Sequence, residues 1–400
     1  MPDDLPPLTA RVVERISAVA AVDWNACAEG AGPPDTPFVS HAFLSALESS
    51  GCVGKRTGWQ PRHLIVEAGD GTVVAAAPLY VKGHSYGEYV FDHAWAHAFE
   101  RAGGHYYPKL QCAVPFTPVT GVRLLVRPDA AAGLSAQSLR TALANGMSAL
   151  TRQYGVSSLH VTFCTADEAD LLQDAGYLIR HDHQFHWHNN GYADFEDFLA
   201  SLTSRRRKNI RKERQKVAEA GIRMRALSGD DIKGPHWDAF YRFYTDTYDR
   251  KWGAPYLTRD FFSILQDTMA DKVVLFIAEL DGRPIAGALN FRGRDALFGR
   301  NWGCDLRFKF LHFEACYYSA IDYAIAHGLQ RVEAGTRGPH KLQRGYAPVR
   351  TYSAHWIEDA SFRRAVSEYL EHERSAEAAE ITEIAEYLPY RQDTDGSGQE

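Results

Sequence analysis

Two stretches of this chain, GYLIRHDHQFHWH (176–188) and GYAPVRTYSAHWI (345–357), limit its fold more than any other feature. They align without a gap, and Gly176, Tyr177, His186 and Trp187 match Gly345, Tyr346, His355 and Trp356. A second pair recurs in the same order. LIVEAGDGTVVAAAPLYVKG (64–83) and LFIAELDGRPIAGALNFRG (275–293) each read as two apolar strands joined by an Asp-Gly turn, where glycine tolerates positive φ. Two matches in one order predict a duplicated unit.

Between these landmarks each half offers a helix and a strand. In the first half the helix SAQSLRTALANGMSALTRQYG starts near Ser135 and precedes the strand SSLHVTF. In the second, a helix from about His312 to His327 places Phe313, Tyr317, Ala320, Ile321 and Ala324 on one face, Gly328 ends it, and RVEAG follows as a strand. Each half therefore reads as helices, a hairpin, a strand, a helix and two further strands. The expected class is α/β, with two similar units in tandem, each a mixed sheet flanked by helices, and a C-terminal helix. The expected boundaries are 9–190 and 223–360 for the units, 191–222 for a basic helical link, 361–390 for the C-terminal helix and 391–400 for a disordered tail. A length of 400 residues with 45% hydrophobic composition suits two domains. The C-terminal helix carries Phe362, Val366, Tyr369 and Leu370, then Ile381, Ile384, Tyr387 and Leu388, at helical spacing. That face has no evident partner in the sequence, which leaves monomer and homodimer both open.

Charge and composition exclude several classes. A net charge of -6 predicts no bulk attraction to nucleic acid or anionic membrane, so any anion site must be local. No apolar run approaches the length of a membrane span, and MPDDLPPLTARVVERIS lacks the basic and then apolar pattern of a signal peptide. A soluble, cytoplasmic protein is expected. The six cysteines form no CxxC and no zinc-like cluster, as reduced and mostly buried thiols would. No metal is expected. The histidines of HDHQFHWH alternate across a strand, so His181 and His183 face away from His186 and His188 and four ligands cannot converge.

Four segments carry candidate chemistry. Arg205, Arg206, Arg207, Lys208, Arg211, Lys212, Arg214 and Lys216 are opposed within their run only by Glu213; Arg207, Lys208 and Arg211 are the expected phosphate contacts, against the alternative of a solvated helix. FLHFEACYY contributes His312 and Glu314, and Glu314 also suits the positive end of a helix. VEAGTRGPHKLQRGYAP gathers Glu333, His340, Lys341, Arg344 and Tyr346 after a strand, the favoured ligand position in α/β units. Glu333 is the preferred general base, with ion pairing to Arg337 or Arg344 as its alternative. YDRKWGAPYLT adds Tyr248, Lys251, Trp252 and Tyr256 as a pocket wall, or as simple packing. The chain has no Walker loop, HExxH, Rossmann fingerprint or nucleophile elbow.

HAFLSALESSG, APLYVKGHSYGEYVFD, YYPKLQCAVPFTPVTG, SRRRKNIRKERQKV, FLHFEACYYSAIDYAI and RVEAGTRGPHKLQRGYAPVRTYSAHWI together resemble the bacterial FemAB-like family of the GNAT acyltransferase superfamily, from about His41 to about Arg374. The resemblance implies a tandem GNAT fold and transfer of an aminoacyl group from aminoacyl-tRNA to an amine on a peptidoglycan precursor. Through YYPKLQCAVPF it adds Tyr107 and Lys109 to the substrate-binding candidates. In GNAT enzymes the loop before the helix at FLHFE is glycine-rich, so that backbone N–H groups hold a cofactor pyrophosphate. Here CDLRFKFLHFE has no glycine after Gly303, which counts against acyl-CoA as donor. Two other readings stay open: an acyl-CoA-dependent N-acetyltransferase of a small amine, and a non-catalytic module that binds a cell-wall precursor or RNA.

Overall fold

The computed structural model describes residues 8–30, 36–130, 134–249, 254–336, 338 and 340–391. Eleven strands form one mixed sheet in the order Arg223–Ser228, Val273–Leu280, Arg283–Arg292, Ala296–Cys304, Arg331–Thr336, Leu178–His188, Ala347–Ile357, Ser158–Cys164, Lys109–Cys112, Leu79–Lys82 and Trp59–Pro61. The two copies of the repeat are neighbours inside it. They pair antiparallel, from Leu178 opposite His355 to His186 opposite Ala347.

Each copy has moved into the other half. Leu178–His188 lies between two strands of the second half, and Ala347–Ile357 lies between two strands of the first. The duplication is therefore a reciprocal exchange of final strands, and its registers are symmetric: His355 stands opposite His160, as His186 stands opposite Glu333. Both strands start from a glycine in the left-handed region, Gly176 at φ 89° and Gly345 at φ 85°, where a β-carbon would be strained.

The first-half hairpin departs from the sequence expectation in one respect. Its returning strand breaks at Pro78, which cannot donate to a ladder. Val73–Ala77 stays in a separate four-stranded sheet with Thr9–Val13, His63–Glu67 and Leu125–Val126, while Leu79–Lys82 crosses into the large sheet. The helix Ala136–Tyr154 covers this region, burying Leu139, Leu143 and Met147 against Leu64, Leu110 and Leu159. In the second half the helices Gly234–Asp249 and Arg259–Met269 place Phe240, Tyr244, Phe261 and Phe262 in a core shared with Phe38, Phe43 and Leu47 from the first. The two halves are thus joined by packing as well as by strand exchange.

The C-terminal helix Ala360–Glu386 finds part of its cover within the chain. Val366 and Leu370 of its apolar face pack on Trp95, Tyr106 and Ile357 while Tyr369 and Tyr387 stay exposed, and Arg180–Glu373 at 2.6 Å and His183–Glu377 at 2.9 Å fasten it to an exchanged strand. The covering elements lie far away in sequence, which is why no partner was evident. Of the tail expected to be disordered, Arg391 donates its backbone N–H to the Ser201 carbonyl, and 392–400 fall outside the described residues. The helix expected over 312–327 consists of Leu311–Phe313, a π turn at Glu314–Tyr318 and Ser319–Ala326. All six cysteines are free thiols, four of them buried. Among the described residues no helix is long and apolar enough to cross a membrane. The architecture is the tandem GNAT-like α/β class with flanking helices and a C-terminal helix.

Candidate functional site

The site begins where two parallel strands part. Ala296–Cys304 and Arg331–Thr336 pair only from Ala296/Arg331 to Phe298/Glu333. Against the neighbouring strand Arg283–Arg292, the register passes from Leu289 opposite Asn301 to Asn290 opposite Gly299, so Arg300 is the extra residue of a β-bulge. A second register shift follows Glu333 on the other strand. Bulges re-aim side chains and commonly sit beside active sites. The gap holds a cavity of about 120 Å³ lined by Asn290, Arg300, Asn301, Trp302, His312 and Tyr317, among others.

Arg300 is half-buried, and its Nη2 donates to the carbonyl oxygen of Phe116 in the first half. Burial lowers its pKa, while Tyr89, Tyr248, Tyr244 and Glu333 act in the opposite direction. Two of its neighbours are non-glycine residues held at positive φ, Phe116 at 58° and Tyr89 at 61°. Such conformations persist only where the surroundings impose them, and they concentrate at binding sites.

A larger cavity of about 570 Å³ lies between the halves. Cys52, Thr57, Trp59, His84, Tyr86 and Phe116 line it from one side, and Tyr248, Ala254, Pro255 and Tyr256 from the other. Phe116 stacks on Tyr256 with ring centroids 4.8 Å apart. A narrow space bordered by Phe116, Leu289, Arg300 and Asn301 shares Phe116 with the large cavity and Arg300 with the small one. Aromatic wall and cationic floor thus belong to one continuous set of residues.

Glu333 is buried at the end of the paired segment. Its Oε1 accepts from Arg331 Nε at 2.9 Å, whereas Arg344 pairs with Glu213 and Arg337 lies outside the described residues. Its Oε2 accepts no hydrogen bond and lies 3.7 Å from His186 Nε2. His312 lines the small cavity with its ring 5.4 Å from Trp302 and 5.5 Å from Tyr317. Behind it, the Tyr317 hydroxyl and His340 Nε2 are 2.8 Å apart, and burial with Lys341 and Arg344 nearby lowers the His340 pKa. Lys341 donates to the Gly335 carbonyl at 2.9 Å, and burial brings its pKa down to about 8.

Other candidates serve the frame. Arg344 is buried, donates to Glu213, the Tyr318 hydroxyl and the His340 carbonyl, and lies 3.5 Å from the centre of the Phe313 ring. Tyr346 is fully buried beside Tyr317. Glu314 pairs with Arg214 at 3.0 Å and borders a different groove with Asp322, so it is not beside His312's cavity; the π turn separates the two faces. Arg211 is held by Glu196, a residue of the preceding helix, so it is not free to share an anion with Arg207 and Lys208. Arg207 donates to the Ala200 carbonyl and Lys208 is exposed. Lys109 is completely buried against Glu88, Asp92 and Ser85 and lines none of these cavities, and Tyr107 bonds Ser85 at 2.8 Å. Lys251 and Trp252 lie outside the described residues.

The sequence reading missed Arg300, Phe116 and Trp59. For Arg300 a signal existed, since Gly299 inside the apolar run ALFGRNWG is the pattern of a bulge or a close backbone approach.

The FemAB-like family model, described as peptidoglycan biosynthesis/recognition, matches residues 15–392. The chain belongs to the FemAB-like family. Among solved structures, FemX is similar at 12% identity and a TM-score of 0.54, over 87% of this chain and 98% of that one. The C-terminal DUF2156 domain assigned to a lysylphosphatidylglycerol synthetase of Agrobacterium fabrum is similar at 9% identity and 0.53, over 86% and 95%. A protein of unknown function from Bacteroides thetaiotaomicron is similar at 9% and 0.51, over 88% and 100%. At these identities the likeness is one of fold. No curated protein matches the chain.

Proposed function

We propose that this FemAB-like protein is an aminoacyltransferase that forms an amide bond on a peptidoglycan precursor in the cleft between its halves. The observation that carries this reading is the parted strand pair, where bulged Arg300 and His312 line one cavity, Glu333 with its unpartnered Oε2 ends the paired segment close enough to act electrostatically on Arg300, and a cleft walled by both halves lies alongside. Membership of a family described by peptidoglycan biosynthesis supports the substrate class.

In this reading a neutral acceptor amine attacks the acyl carbon of an ester donor. A C–N bond forms, the ester C–O bond breaks, and the donor leaves as an alcohol. The amine proton passes to Glu333, which Arg331 holds by its other oxygen, and then to the leaving oxygen, so that the carboxylate is restored. His312 supplies a donor to the developing oxyanion. The donor is an aminoacyl-tRNA rather than an acyl-CoA. A Cβ on Gly303 would meet the Phe243 carbonyl oxygen at 2.1 Å, so packing accounts for that glycine without a pyrophosphate cradle. Arg205, Lys208, Lys212 and Lys216 are exposed on the helix Ser204–Glu219, where they offer phosphates a basic face.

The test is ligand stabilisation of the native state. UDP-linked muropeptide and aminoacyl-tRNA are each expected to raise Tm. Stabilisation by acetyl-CoA alone would replace the donor, and binding of both proposed ligands without any transfer would make the protein a binding module.

A further inference from the structure

Arg300 differs from the other half-buried or buried arginines around the site. Arg214 pairs with Glu314 and Asp322, Arg331 with Asp295 and Glu333, and Arg344 with Glu213. Arg300 has one protein acceptor, the Phe116 carbonyl, and among the described residues no carboxylate within ion-pair distance. A guanidinium carries five N–H donors, and a partly desolvated cation without a counter-charge is costly. The bulge that exposes it to the cavity is built against the strand Arg283–Arg292, with paired residues on both sides of Arg300, so the position is set by the sheet.

We propose that Arg300 receives a carboxylate of the substrate, which makes the acceptor an amino-acid or peptide acid. This rests on the reading of the cleft as the transfer site and names the group that the site selects. Charge decides between a carboxylate and a pyrophosphate. The described residues lining the three spaces include no second Arg or Lys, and Glu333 lies close enough to act electrostatically on Arg300. A dianion or trianion would remain under-neutralised there, whereas a single carboxylate is matched. Asn301, which shares two of these spaces with Arg300, offers a neutral amide donor beside it.

The experiment compares binding of alanylalanine with that of its C-terminal amide by calorimetric titration of the full chain, with inorganic phosphate and pyrophosphate as competitors. The acid is expected to bind at least about tenfold more tightly than the amide, the loss of one charge-assisted contact. In Arg300→Gln the ratio should fall to about one, and Arg300→Lys should restore part of it. Equal binding of acid and amide by the native protein, or no binding of the acid, would overturn the proposal, and neither result depends on a variant that folds. Displacement of the dipeptide by pyrophosphate at lower concentration than by the amide or by phosphate would overturn it in favour of a phosphate site. The ratios need no donor and no turnover. If acyl transfer is seen without acid-over-amide discrimination, this inference falls alone and the transferase reading stands.

Discussion

Arg300 donates a hydrogen bond to the carbonyl oxygen of Phe116 across 184 positions of sequence. The contact joins the floor of the small cavity, built by a bulge in the second half, to the aromatic wall contributed by the first. The relation of the two halves therefore sets the geometry of the site, and the strand exchange fixes that relation.

A first consequence concerns unfolding. Each exchanged strand is hydrogen-bonded on both sides to strands of the other half, and one core holds aromatics from both. The chain is expected to melt in a single calorimetric transition, with calorimetric and van't Hoff enthalpies in agreement. Two resolved transitions would contradict the coupling.

The arginines named by the sequence separate into two energetic classes. Arg344→Ala removes the counter-charge of Glu213 and a donor to the Tyr318 hydroxyl, which keep only their hydrogen bond to each other in a largely buried network, and is expected to cost about 3 kcal/mol. Arg211→Ala removes an exposed pair with Glu196 and should leave Tm unchanged. Denaturant titration of the two variants checks the contrast, and equal destabilisation would refute it.

The C-terminal helix carries a pH-dependent fastening. The hydrogen bond to Glu377 raises the pKa of His183, against burial and together with the charges of Glu377, Asp182 and Glu380. A raised histidine pKa stabilises fully below the unfolded value of about 6.5 and loses that contribution as pH rises through the folded value. Amide protection in Ala360–Glu386 is therefore expected to be higher at about pH 5.5 than at about pH 8. In His183→Gln this difference should vanish; persistence of the same difference would assign it to another group.

How far the sequence discloses this site follows from how local each determinant is. Both Asp-Gly hairpins and the helices rest on short periodicities, and these elements are present. The exchange of Leu178–His188 and Ala347–Ile357 was not legible, because two similar strands satisfy the same pattern in either half. Tyr248 and Tyr256 do stand in the cleft wall, as expected of an aromatic Gly/Pro segment. The ion pairs of Glu314 and Lys109 were not legible because their counter-charges, Arg214 and Glu88, come from other elements. Arg300 was hidden because its role depends on a bulge, which is defined by pairing with a strand whose register the sequence does not state.

The central claim is that the cleft forms amide bonds. Its most direct test incubates the purified chain with aminoacyl-tRNA and a UDP-linked muropeptide and follows the muropeptide by mass spectrometry. The account predicts the gain of one aminoacyl residue, with kcat/KM reduced about 10- to 100-fold in Arg300→Gln, the loss of one hydrogen bond to a charged group. No mass gain with any aminoacyl donor, or an undiminished rate in both Arg300→Gln and Glu333→Gln, would contradict it.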